Sequence, residues 1–275
     1  MYESYWQLSS RPFMQTPEPA AFFRSQSGSA VLLRFRYAVE NLCGPALLLG
    51  TSGCGKSSLI RWFASEDTAL RPFVHMVLPS LGCDEQLRTL LAEISEDNRT
   101  SAAAANATLD VVFRELRIQL RRHTSHGRRP LLFFDDAHLL SDDVLQQVVL
   151  PLLHLAESDP NLKLMIILAA QPSFASRIRR FGQLSERITV ASTLSGFTVE
   201  ETASYIQMCL ATAGATAPIF SRSAVRRLHE VSAGIPRRLN RLCDMALLVG
   251  FADQKAQIVE TDIDAIAGEL MPAAA

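Results

Sequence analysis

Short runs of consecutive apolar residues alternate with longer stretches of helical apolar spacing along most of the chain, and the alternation stops near residue 196. The runs fall at about 45–50, at Pro72–Leu78, at Leu131–Phe134 continuing into Asp135-Asp136, and at Leu162–Ala169, with a short fifth at Arg187–Ala191. Apolar runs without polar alternation suit strands buried on both faces of a parallel sheet. Helical spacing covers 28–43 (Ala30, Leu33, Tyr37, Val39), 55–65, 84–96, 142–157 and 173–182. Another helix carries Leu109, Val112, Phe113, Leu116 and Leu120. The alanine-rich stretch 101–108 reads equally as a link or as the first turns of that helix. Pro151 should break or kink the helix it sits in, because it lacks an N–H and crowds the preceding turn.

After Ser195-Gly196-Phe197 only helical spacing remains, over 198–213, 221–232, 236–250 and 261–270, with Thr198, Ser221 and Thr261 as N-cap residues. The expected fold is therefore α/β: a core with a five-stranded parallel sheet between helices over 28–196, then a small all-helical domain over 197–275. Residues 1–27 read as an extended segment, held straight by Pro12, Pro17 and Pro19 and pinned to the globular body by Phe13, Phe22 and Phe23.

With 275 residues, 48% of them hydrophobic, the chain buries a substantial core in one domain or two modest ones. A formal net charge of -1 gives no global field toward nucleic acid or anionic lipid, although arginines cluster locally. Cys43, Cys54, Cys83, Cys209 and Cys243 form no Cys-x-x-Cys pair, which argues for a reducing cytoplasm and against a disulfide frame or zinc site. The start Met1-Tyr2-Glu3-Ser4-Tyr5-Trp6 is not built like a secretion signal, and no apolar run approaches the roughly 20 residues of a membrane helix. His123 and His126 sit among basic residues and read as solvated.

The chemistry concentrates where the first run ends, in Gly50-Thr51-Ser52-Gly53-Cys54-Gly55-Lys56-Ser57-Ser58. Gly-x-x-x-x-Gly-Lys-Ser between a strand and a helix is a phosphate-binding loop. Its glycines let the backbone come close to a phosphate, and successive N–H groups converge at a helix N-terminus. Lys56 is expected on the β- and γ-phosphates of ATP and Ser57 on Mg²⁺. The third run ends in Asp135-Asp136; that strand is expected beside the loop, with Asp135 in the Mg²⁺ shell and Asp136 polarising the attacking water. Gln171, at the end of the fourth run, can contact the γ-phosphate or the water. Arg187, with Arg177, Arg179 and Arg180 before it, can serve as an arginine finger in a neighbouring subunit. Arg237 follows Gly234-Ile235-Pro236, and proline at a helix start aims it from the first turn toward the phosphates.

Assembled, these residues resemble an AAA+ ATPase, and more closely the A component of the general secretion pathway (ExeA type). The resemblance runs nearly end to end. It includes Tyr5-x-x-Leu8-x-x-x-Pro12-Phe13-x-x-Thr16-Pro17-Glu18-Pro19 with Phe23, the phosphate loop, Asp135-x-Ala137-x-Leu139 and Gln171-Pro172. It continues through Gly234-Ile235-Pro236-Arg237 with Asn240 and Asp244-x-Ala246-Leu247-Leu248. It implies a nucleotide site between the core and a helical lid, with Gln171 as first sensor, Arg187 as finger, Arg237 as second sensor, and the N-terminal string near the base. Three departures stand out. Asp136 replaces the family's usual Glu, which suits slow hydrolysis or a nucleotide switch. Gly182 and Glu186 replace its Arg and Gln. The family normally continues into a membrane helix and a peptidoglycan-binding domain, and this sequence reaches Ala275 without either.

The function implied is an ATP-binding and ATP-hydrolysing motor, assembly factor or switch for a secretion or envelope machine. The chain would be a nucleotide-dependent homo-oligomer, cytoplasmic or peripheral at the inner membrane through a separate membrane or envelope partner. The alternative is a DNA-binding AAA+ regulator of transposition type, motivated by Arg114, Arg117, Arg121, Arg122, Arg128 and Arg129. A small-molecule kinase is a third reading, disfavoured by the helical lid and second-sensor string.

Overall fold

A computed structural model describes residues 1–13, 22–41, 44–77, 79–96 and 107–270. Thr16-Pro17-Glu18-Pro19, Cys43, Leu78, the alanines of 101–106 and Ala275 lie outside the described residues. The chain clusters into two compact units. One is Gln26–Ser52 with Lys56–Leu194; the other is Met1–Ser25, Gly53–Gly55 and Ser195–Ala275.

The first unit opens with α1 (Gln26–Glu40) and β1 (Ala46–Leu49), followed by α2 (Lys56–Glu66), β2 (Phe73–Met76), α3 (Cys83–Ile94) and α4 (Leu109–Ser125). β3 (Leu131–Phe134) leads through a 3-10 turn (Ala137–Leu139) into α5 (Asp142–Val144), a π-helical turn (Leu145–Val149) and α6 (Leu150–Ser158). β4 (Met165–Ala170), α7 (Phe174–Ile178), α8 (Gly182–Arg187) and β5 (Val190–Thr193) complete it. All five strands are parallel, in the order β2-β3-β4-β1-β5. The fully apolar β3 and β4 are buried along their whole length, as their interior places require.

β4 lies between β1 and β3 in the sheet, yet Asp135 at the end of β3 still reaches the loop end through the Ser57 hydroxyl, as the sequence implies. Several expectations shift. The break near Pro151 takes the form of the π-turn before it, where the missing N–H and the crowding of proline are absorbed by a wider turn. β5 begins at Val190 rather than Arg187, and Arg187 instead ends the helix α8, which the sequence reading had not separated. β5 is an edge strand with alternating burial, so it leaves no continuous apolar run to read. His123 is not solvated: it is 2% exposed on the last turn of α4, with Nε2 2.8 Å from the Ile94 carbonyl, while His126 is exposed.

The second unit packs α9 (Val199–Thr212), α10 (Arg222–Ser232), α11 (Pro236–Ala252) and α12 (Glu260–Leu270). Thr198 and Ser221 accept N–H bonds from Glu201 and Ala224 as caps. Thr261 does not cap α12, which begins one residue earlier; the Asp262 carboxylate accepts the Val259 N–H instead. The N-terminal aromatics complete this core. Trp6 donates from Nε1 to the Leu247 carbonyl at 2.9 Å and lies so close to Gly250 that a Cβ there would sit 2.8 Å from the indole. Tyr2 bonds Asp244, Phe13 packs edge-on to Phe220, and Phe23 packs against Phe197 and Tyr205. Tyr205 donates to Asn240 Oδ1 at 2.8 Å.

Candidate functional site

β1 delivers the chain to Gly50, whose N–H donates to the Ala170 carbonyl and so carries the β1–β4 pairing to the start of the loop. Thr51 and Ser52 are exposed, Cys54 is buried and Ser58 half-buried. Gly53 and Gly55 both have left-handed φ, +81° and +100°, which a side chain would resist. Gly53 also meets the start of α11: a Cβ on it would lie 2.8 Å from Arg237 Cβ, and the Arg237 N–H donates to its carbonyl at 3.2 Å. Around Gly55 a Cβ would find nothing within 4 Å, so the loop opens there onto space a phosphate can enter.

Lys56 begins α2 and is only 6% exposed, with Nζ 2.9 Å from the Gly50 carbonyl and 3.1 Å from that of Thr51. A buried ammonium held by two neutral carbonyls lacks a counter-charge among these partners, and an incoming phosphate supplies one. One residue on, the Ser57 hydroxyl donates to Asp135 Oδ2 at 2.5 Å. The same Oδ2 lies 3.1 Å from His75 Nε2 on β2, and Oδ1 accepts the Asp136 N–H at 3.0 Å. Burial pushes the Asp135 carboxyl upward, but the bonds from His75, Ser57 and the Asp136 N–H outweigh it and hold the group below the usual carboxylate range. A serine hydroxyl and an ionised carboxylate form the hard oxygen set that Mg²⁺ prefers, so the residues fit that ion.

Asp136 has left-handed backbone (φ 46°, ψ 40°) and a side chain 57% exposed. His138 Nδ1 is buried without a hydrogen-bond partner among the described residues and stands 3.9 Å from Asp136 Oδ1. Gln171 follows β4 directly and is half-buried. Arg177 donates to the carbonyls of His138 and Leu140 and pairs with Asp142, so it pins the turn after the two acids. Arg187 lies at the other end of the sheet from the loop, its carbonyl against Gly44 just before β1. Its Nε is 3.1 Å from Glu157 and its Nη1 2.7 Å from the Gln183 carbonyl.

Lys56, Ser57 and Asp135 thus converge, Asp136 adjoins them, and Arg187 stands apart. The sequence reading missed His75 and His138, and did not foresee that Arg177 bonds the turn after the two acids. A single histidine in an otherwise apolar strand was the only signal for His75. Among the described residues, no group of three or more His, Cys, Asp or Glu is placed to hold a metal by itself, and no helix is long and apolar enough to cross a membrane.

A family model described as an AAA domain matches residues 39–178. The chain is 31% identical over 272 residues to General secretion pathway protein A of Aeromonas hydrophila, covering 98% of this chain and 48% of that protein. It therefore spans about half the length of that relative. Among solved structures, the ORC2 protein of Aeropyrum pernix in ADPNP–ADP complexes aligns with a TM-score of 0.71 at 16% identity, covering 97% of this chain and 73% of that one. Cdc6p from Pyrobaculum aerophilum aligns with a TM-score of 0.70, also at 16% identity, over 95% and 71% of the two chains. Both share the fold.

Proposed function

The chain belongs to the AAA+ ATPase family, and from that premise we propose that it binds and hydrolyses ATP as an oligomeric motor, assembly factor or switch for a secretion or envelope-associated machine. The observation that carries this reading is the convergence of Lys56, Ser57 and Asp135 at the mouth of the glycine loop. Gly50–Ser58 cradle the phosphates with backbone N–H groups, and Lys56 neutralises charge on the β- and γ-phosphates. Ser57 and Asp135 would hold Mg²⁺, which would supply charge neutralisation at the phosphates. Asp136 orients the attacking water, and Gln171 senses the γ-phosphate. Arg237 acts from the helical unit as second sensor.

Arg187 is the finger in this reading. Its place at the opposite sheet end from its own loop suits a role toward a second subunit, for which it must exchange Glu157 for phosphate. The secretion machine is proposed from the relative's name, and the membrane or envelope partner from the family resemblance. For the DNA-binding reading, part of the basic set is already engaged: Arg121 pairs with Asp159, Arg128 with Glu96, and Arg129 donates to the Val39 carbonyl. Arg114, Arg117 and Arg122 are exposed. Salt-sensitive, ATP-dependent DNA binding would revive it.

Steady-state ATP turnover per subunit, measured across protein concentration with Arg187→Ala and Asp136→Glu, tests the proposal. Turnover that rises with concentration and collapses in Arg187→Ala is the expected result for shared sites. Binding without turnover, with Asp136→Glu restoring it, would make the chain a switch; absence of ATP binding would end both.

A further inference from the structure

β2 alternates in burial, with Val74 and Met76 buried and Phe73 and His75 partly open on the other face. Across the parallel register His75 pairs with Phe133, and the two rings stack at 4.7 Å and 17°. Phe73 stacks on both, 6.1 Å from His75 and 6.3 Å from Phe133. Three planar rings thus form a ladder that fixes the orientation of the imidazole and aims Nε2 at Asp135 Oδ2, 3.1 Å away. An ionised carboxylate can only accept, so Nε2 carries the proton in this contact. His75 is 22% exposed and Asp135 12%, which places the bond in a partly dried environment where one donor counts for more than in water.

Three donors therefore divide the Asp135 carboxylate. Ser57 and His75 share Oδ2, and the Asp136 N–H takes Oδ1. Of these, Ser57 sits on the loop helix and would also lend an oxygen lone pair to Mg²⁺, so its bond to Asp135 depends on where the loop places it. The Asp136 N–H sits on the adjacent residue and follows any movement of the turn. His75 is the one donor mounted on a neighbouring strand, independent of both.

We propose that His75 is the positioning residue for Asp135, a donor on β2 that keeps this carboxylate aimed at the Mg²⁺ position independently of the loop and of the turn after β3. The inference rests on the nucleotide-site reading above and adds a residue from outside the loop and the acid pair. Groups that hydrogen-bond a metal-binding carboxylate typically change metal affinity by about 10- to 100-fold when removed.

The test compares His75→Gln, which places an amide donor near the imidazole Nε2, with His75→Met, of similar length and without a donor. Binding of a fluorescent ATP analogue is titrated with Mg²⁺ from an EDTA baseline, with thermal melting of each variant in parallel. All three proteins are expected to bind ATP equally in EDTA. The Mg²⁺ concentration for half of the metal-induced gain should stay within about threefold of the parent in His75→Gln and rise about tenfold or more in His75→Met. If His75→Met does not fold, His75→Asn, whose amide stops short of Asp135, takes its place. Equal shifts in the donor and non-donor variants would assign the effect to ring stacking and overturn the proposal. So would a non-donor variant that matches the parent, or a parent whose ATP binding ignores Mg²⁺. A parent that binds no ATP under either condition would instead remove the nucleotide-site reading, and this inference with it.

Discussion

The helical unit and the loop end of the sheet treat buried polar groups in opposite ways. Among the described residues of the helical unit, buried polar groups meet protein partners: Tyr2 has Asp244, Trp6 the Leu247 carbonyl, Tyr205 has Asn240, and Thr202 stands 2.9 Å from His229 Nδ1. Burial and the Asp244 contact together drive the Tyr2 hydroxyl far above its ordinary range, so it is a fixed donor throughout the working pH range. At the loop end, Lys56 has carbonyls and no counter-ion among its bonded partners, His138 Nδ1 has no bond among the described residues, and Gly55 faces open space. Satisfied polar groups specify one packing, whereas groups kept short of partners are reserved for a ligand that brings its own.

The sharpest way to break this contrast is Trp6→Ala. It removes a buried indole and its hydrogen bond and leaves the Gly250 notch unfilled, so it should destabilise the helical unit by about 3–5 kcal/mol, read by denaturant unfolding. Lys56→Ala should do the reverse. The melting temperature should stay close to the parent's, while ATP affinity falls about 100-fold or more in equilibrium binding, because the loop loses its buried cation. A Lys56→Ala protein that unfolds instead would place Lys56 among the structural groups.

The smallest effect concerns acid. In the helical unit, burial raises the Asp262 carboxyl, but the Lys255 ammonium and the Val259 N–H pull it further down, and its net position is below the ordinary value. A carboxyl depressed in the folded state contributes stability that is present above its unfolded pKa of about 3.9 and is lost as pH falls through the lower folded value. Asp262→Asn should therefore lower the melting temperature at neutral pH and flatten its fall below about pH 4. A variant curve parallel to the parent's would show that this pair is not coupled to folding.

Much of the sheet unit was legible because its physics is local. Continuous apolar runs placed β1 to β4 within a few residues, and the glycine spacing placed the loop. What stayed hidden depends on neighbours far along the chain. The insertion of β4 between β1 and β3 leaves no trace in periodicity. The edge strand β5 was misread because half its side chains face out, and the short α8 was hidden behind Gly182. His123 looked solvated among arginines until α4 turned it inward onto Ile94. His75 gained a role only when β2 paired with β3 in a register that brings its ring beside Asp135.

The left-handed turn at Asp136 has a practical consequence for capturing this protein at work. Aspartate and asparagine tolerate that backbone far better than longer residues do. Exchanging the acid for its amide, Asp136→Asn, therefore keeps a residue suited to the turn while removing the charge. Asp136→Glu pushes a longer side chain into a conformation that costs about 1 kcal/mol or more. If Asp136 orients the attacking water as proposed above, the amide variant should retain bound ATP without turning it over, which equilibrium binding and single-turnover measurements would check.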